Sequence, residues 1–146
     1  MRIALSADHA GFELKDLLAA WLAEEGHEII DLGTNGPESV DYPDFGARLG
    51  RAVASGDADR GIAVCGSGIV IAIAANRNPG CRCAQVNEPL SATLARTHND
   101  ANAIALGSRL IGPDMAKACV TAFLATEFEG GRHQRRVDQL SQPKDC

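Results

Sequence analysis

Five short runs rich in Ile, Val and Ala alternate with stretches of helical periodicity, and that alternation narrows the chain to one class of fold. The runs Arg2–Ala7, His27–Asp31, Gly61–Val64, Arg82–Val86 and Ala103–Leu106 read as strands. Between the first two, Leu14, Leu17, Leu18, Trp21 and Leu22 recur at helical intervals, and Gly26 stands where a helix-terminating glycine belongs. This is a βαβ unit, the crossover that parallel strands require. Further helices are predicted from Asp44 to Ser55, from about Ser67 to Asn76, from Pro89 to Thr97 and from Pro113 to Thr126. The expected fold is α/β, a doubly wound parallel sheet of about five strands with helices on both faces.

Two segments interrupt the rhythm. Gly33–Ser39 is a polar loop between a strand and a helix, and Gly130-Gly131 separates the fifth helix from a basic tail helix beginning near Arg132. The tail's main apolar residues are Val137 and Leu140, so it is expected to pack on another subunit. Residues 1–140 read as one domain, with 141–146 as a frayed end.

A chain of 146 residues suffices for one core that buries roughly 70% of the unfolded surface. Fourteen Lys+Arg against nineteen Asp+Glu give a net charge of −5, which excludes a global positive field for nucleic acid or an anionic membrane. The longest apolar stretch, Ile69–Ala75, is far shorter than the roughly 20 residues of a membrane span. No signal-peptide pattern precedes Arg2-Ile3-Ala4-Leu5, so the chain is expected to be cytoplasmic. Cys65, Cys81, Cys83, Cys119 and Cys146 form an odd set without C-x-x-C spacing and are expected to be reduced. Cys81 and Cys83 point to the same face of a strand and read as small core residues.

Ligands of parallel sheets collect beyond the carboxyl ends of the strands. Strand one runs into Asp8-His9-Ala10-Gly11 and strand three into Cys65-Gly66-Ser67-Gly68, while Thr97-His98-Asn99-Asp100-Ala101-Asn102 precedes strand five. An acid, a thiol and two imidazoles are therefore expected to converge. The Cys65–Gly68 turn leaves backbone N–H groups facing the space above the sheet, a nest suited to an oxyanion, and the adjacent helix start favours thiolate over thiol. It lacks the Lys-Ser/Thr ending of a nucleotide-binding loop. Each feature also has a structural alternative: Cys65 as a small buried residue, Asp8-His9 as a helix cap, His98 and Asn99 as solvated loop residues. Arg132, His133, Arg135 and Arg136 put four potential cations within five residues, either a local phosphate clamp or a solvated helix face.

Read together, these motifs resemble the family of type B ribose-5-phosphate isomerases and galactose-6-phosphate isomerase subunits. The likeness spans nearly all of residues 2–140. Its carriers are Asp8–Gly11, Asp41-Tyr42-Pro43, Cys65–Gly68, Ala74-Ala75-Asn76, His98–Asn102 and Glu129–His133, followed by Arg135-Arg136-Val137. The resemblance implies a Rossmann-like homodimer, sometimes paired into a tetramer, that interconverts an aldose phosphate and its ketose isomer without metal or other cofactor. It implies that Cys65 carries the proton between C2 and C1 through a cis-enediolate, stabilised by the Gly66, Gly68, Ile69 and Val70 backbone and by Ser67. His98 would open the furanose ring, with Asp8 ordering sugar hydroxyls nearby. His9, Arg132 and Arg136 would hold the phosphate, Tyr42 and Asn99 would line the sugar pocket, and some of these groups would come from the second subunit.

Two positions depart from that pattern. Ser67 stands where some relatives have Thr and keeps the hydroxyl, whereas Val70 stands where the family usually has a second glycine. The expected substrate pair is ribose 5-phosphate and ribulose 5-phosphate. Val70 keeps two alternatives open: another four- to six-carbon sugar phosphate, or a catalytically weak sugar-phosphate binder. A nucleotide-binding module is disfavoured, although Asp31 follows strand two near the place of a ribose ligand.

Overall fold

The computed structural model describes residues 1–142, and Cys146 lies outside them. In chain order the elements are β1 (Arg2–Ala7), α1 (Phe12–Glu24), β2 (Glu28–Asp31), α2 (Tyr42–Ala54), β3 (Arg60–Cys65), α3 (Ile69–Ala75), β4 (Cys83–Gln85), α4 (Pro89–Asn99), β5 (Ala103–Gly107), α5 (Pro113–Ala125) and α6 (Gln134–Ser141), with a 3-10 turn at Gly131–His133. The five strands form one parallel sheet in the order β2-β1-β3-β5-β4. Its register aligns Gly61 with Ala103 and Cys65 with Gly107.

Alternation along the strands makes two unlike faces. Ile3, Leu5, Ile62, Val64, Ile104 and Leu106 pack under α1, α4 and α5 against Leu18, Ala92 and Phe123. The opposite face carries Ala4, Ala63, Ala103, Ala105 and Cys65 and packs under α2 and α3 against Leu49, Val53 and Ile71. Small residues on that second face let α3 sit close behind the end of β3, where the thiol lies. Cys81 and Cys83 are buried on the same side and Cys119 on the other, all free, as expected of small core residues.

Several features differ from the sequence expectation. α2 begins at Tyr42 rather than Asp44, because Pro43 fits the first helical turn, where no N–H is needed. α4 continues past Thr97, so His98 and Asn99 belong to its last turn and not to a loop. The extension ends at Asp100, whose φ of 46° is left-handed; its carboxylate accepts from Arg96 Nη1 at 2.8 Å and Arg82 Nη2 at 3.1 Å, which holds the cap. Val137 of α6 packs on its own chain, leaving Leu140 as the exposed apolar residue of the tail. Ser141 closes α6 instead of fraying, and residues 143–146 of the expected frayed end lie outside the described residues.

Candidate active site

The carboxyl edge of the sheet gathers Asp8, His9, Tyr42, Cys65, Gly66, Ser67 and Val70 around a cavity of about 340 Å³. Its walls come from two tight turns. After β1, Asp8 Oδ1 accepts the Ala10 and Gly11 N–H groups at 2.9 and 3.0 Å, while its Oδ2 makes no hydrogen bond within the described residues. Asp8 thus tightens the turn before α1 without being its N-cap, which is Gly11. A Cβ on Gly11 would stand 2.4 Å from the Val64 carbonyl oxygen, so only glycine lets this turn lie against β3. The Val40 N–H approaches His9 Nδ1 at 3.4 Å, which in a neutral ring puts the proton on Nε2.

After β3, Cys65 is 4% exposed and its Sγ accepts the Gly68 N–H at 3.0 Å. Gly68 has φ 78°, and a Cβ there would press on the Leu106 carbonyl carbon at 3.0 Å, so the turn that aims this N–H at sulfur requires glycine. The Ile69 N–H is taken by Ser67 Oγ at 3.2 Å. Of the amides expected to face a ligand, Gly68 and Ile69 are therefore committed internally, whereas those of Gly66, Ser67 and Val70 have no acceptor within the described residues. Val70 lies in the first turn of α3 and lines the cavity, outside the positive-φ region, so its backbone is unstrained.

The remaining expected site residues sit elsewhere. His98 and Asn99 end α4, where the chain returns to the amino edge of the sheet before entering β5. There the His98 ring stacks on His133, and Asn99 lines a separate cavity with Asn76, Arg82 and Leu140. Arg132 and Arg136 are exposed beside them and form no ion pair among the described residues, while His133 turns inward and is 8% exposed. The expected four-cation cluster is thus split, with its imidazole buried and its guanidinium groups outside. Four strand residues separate the two edges, a span of about 13 Å at ~3.3 Å per residue. Within one chain the expected convergence of acid, thiol and two imidazoles is only partial: Asp8, His9 and Cys65 meet, and His98 does not join them.

The sequence reading missed three things. Arg109 follows β5 at the carboxyl edge, lines the Cys65 cavity and lies over Gly66, 3.4 Å from where a Cβ would be. Arg96, 3% exposed, braces the His98 turn by donating to the Ala101 and Thr126 carbonyls at 2.7 and 3.1 Å. Ligating atoms of His98, Glu129 and His133 lie within 4.8 Å of one another, although nothing in their linear spacing suggests a metal site. The two rings are 18° from parallel, so their lone pairs run side by side instead of converging; the group is a stack and not a chelate. No helix among the described residues is long and apolar enough to cross a membrane.

Comparison with known proteins bears on this geometry. The model of the ribose/galactose isomerase family matches residues 3–140. The ribose-5-phosphate isomerase B of Escherichia coli is 47% identical over 140 residues, covering 96% of this chain and 94% of that protein. The structure of Clostridium thermocellum ribose-5-phosphate isomerase B superposes with a TM-score of 0.96 at 48% identity, covering 97% of this chain and 96% of that one. The Mycoplasma genitalium ribose-5-phosphate isomerase B, solved with bound ribulose-5-phosphate, superposes with a TM-score of 0.92 at 37% identity, over 97% and 94% of the two chains.

Proposed function

Because the chain belongs to the ribose/galactose isomerase family, we propose that it interconverts D-ribose 5-phosphate and D-ribulose 5-phosphate through a cis-enediolate, as an aldose–ketose isomerase that needs no cofactor. The observation that carries the reading is the Cys65 turn: a thiol receiving one backbone N–H at 3.0 Å, with three amides beside it at a cavity wall that have no acceptor among the described residues. Cys65 as thiolate takes the C2 proton of the open aldose and returns it to C1, while the O2 hydroxyl proton passes to O1 of the enediolate and the C2 carbonyl forms. Charge that develops on the sugar oxygens meets the Gly66, Ser67 and Val70 amides and the Ser67 hydroxyl, donors aimed there before the reaction begins. Asp8 Oδ2 is free to order a sugar hydroxyl, and Tyr42 closes the side of the cavity.

Ring opening falls to His98, with Asn99 against the sugar, and the phosphate to His9, Arg132 and Arg136, joined by Arg109 above Gly66. Since one chain holds these groups on opposite edges, the working site is composite: Cys65 from one copy faces His98, Asn99, Arg132 and Arg136 from another. A homodimer with two such sites, or a tetramer of two dimers, follows. Ile69, Ile73 and Leu110, each more than half exposed near the thiol edge, give a second copy an apolar surface to cover. The free thiols fit a cytoplasmic enzyme.

The test is a turnover screen over aldose phosphates of four to six carbons, with ketose formation followed by NMR. The highest kcat/KM is expected with ribose 5-phosphate. Preference for a tetrose or hexose phosphate would reassign the substrate and make Val70 the first residue to examine, and binding without turnover would overturn the enzyme reading.

A further inference from the structure

His133 stacks at the amino edge beside His98 and takes no part in the mechanism. Its ring lies 4.6 Å from that of His98, centroid to centroid, with 18° between the planes. His98 is half-buried and His133 is buried, so His133 forms the wall and His98 the face presented outward. The arrangement is tied from two directions: Glu129 N–H donates to the Thr97 carbonyl at 3.1 Å, joining the incoming segment to the last turn of α4, and Val137 anchors the helix that follows. Among the described residues His133 Nε2 nevertheless has no hydrogen-bond partner, the Glu129 carboxylate oxygen standing 3.7 Å away. A buried imidazole nitrogen left unpaired is costly, and no polar contact among the described residues accounts for its retention.

We propose that His133 is a positioning residue for ring opening, its flat buried ring fixing the plane and the outward edge of His98. The proposal rests on the reading that His98 opens the sugar ring. Burial foremost, then the neighbouring His98 and Arg132, push the His133 pKa below the ordinary histidine range, against the opposing pull of Glu129. A neutral ring suits the role, because His98 must pass through its protonated form as it exchanges protons with the ring oxygen and the anomeric hydroxyl. A neutral aromatic face tolerates that cation, whereas a second imidazolium would repel it.

Substrate chemistry separates ring opening from enolisation. Ribulose 5-phosphate has no furanose to open, since its O5 carries the phosphate. Exchange of its C1 proton into D2O therefore requires Cys65 and the amides but not His98. Net interconversion with ribose 5-phosphate uses the ring step as well. His133→Ala is expected to slow net interconversion by about 10- to 100-fold, the scale of a misplaced catalytic group, while exchange stays near that of the unaltered chain. His133→Leu, which keeps the volume but drops the flat ring, must behave as His133→Ala does, and His133→Phe must recover most of the loss. Undiminished net turnover in His133→Leu, or equal loss of turnover and exchange in a folded variant, overturns the proposal. His98→Asn is measured alongside: if it does not lower net interconversion selectively, the ring-opening reading itself fails, whatever the His133 variants do.

Discussion

The two edges of the sheet reach functional geometry by opposite means. Around Cys65 the work is done by backbone: two short turns, residues 8–11 and 65–68, set amides and a thiol at fixed positions, with glycines where no side chain fits. Around His98 it is done by side chains, with Arg96 of the same helix and the distant Arg82 holding the Asp100 cap and His133 stacked beneath the imidazole. A local motif resists loss of remote contacts, whereas a braced one depends on every partner. In the proposed mechanism neither edge suffices: one carries the proton-transfer chemistry and the other the ring opening and most of the phosphate cations.

The largest effect is expected of Cys65→Ala. If the thiol edge alone moves the carbon-bound proton, both net turnover and C1 exchange fall by at least about 100-fold, the lower end of what a positioned base contributes, with the melting temperature unchanged. Residual activity above about a hundredth of the starting rate would remove Cys65 as the base. Next come Arg109→Ala and Arg136→Ala, one cation from each edge. If both edges reach one phosphate, each raises KM and lowers kcat/KM by about 10- to 100-fold, since a charge-assisted contact contributes ~1.5–3 kcal/mol. An effect from only one of them would mean that the edges face different ligands.

A smaller effect is expected at Val70, which lines the cavity from the first turn of α3. Val70→Gly removes bulk beside the reacting atoms and is expected to raise kcat/KM for ribose 5-phosphate several-fold, at a helix-propensity cost of about 0.5 kcal/mol and with no change in oligomeric state. A glycine variant no faster on any four- to six-carbon sugar phosphate would rule out steric restriction there. Chelation is expected to change nothing: activity after EDTA treatment should equal the untreated rate, because the near-parallel His98 and His133 rings do not converge on an ion. Loss on chelation with recovery on added divalent metal would contradict it.

Periodicity made the fold legible. The expected strand Gly61–Val64 is observed as Arg60–Cys65, and Ala103–Leu106 as Ala103–Gly107, because a buried parallel strand announces itself as an apolar run. The thiol edge was legible for a related reason, its turns being contiguous motifs at strand ends. The end of α4 was hidden because a left-handed Asp100 is held by Arg96 on the same helix and by Arg82, 18 residues away, the second a tertiary contact that local propensity does not reveal. His133 was grouped with its charged neighbours although the 3-10 turn directs it inward. Arg109 carried a usable signal: it follows β5 at the carboxyl edge, the position that singles out Asp8 and Cys65.

In the proposed mechanism each site takes its thiol from one copy and its ring-opening imidazole from another, and subunit mixing tests this directly. Cys65→Ala and His98→Asn chains, each nearly inactive alone, are mixed under conditions that exchange subunits, with heterodimer formation verified by native mass spectrometry. Half of randomly reassorted dimers carry one copy of each, and in a composite arrangement one of their two sites is intact, so activity should rise to about a quarter of that of the unaltered protein. Verified heterodimers with no activity beyond the sum of the two variants would contradict the composite site.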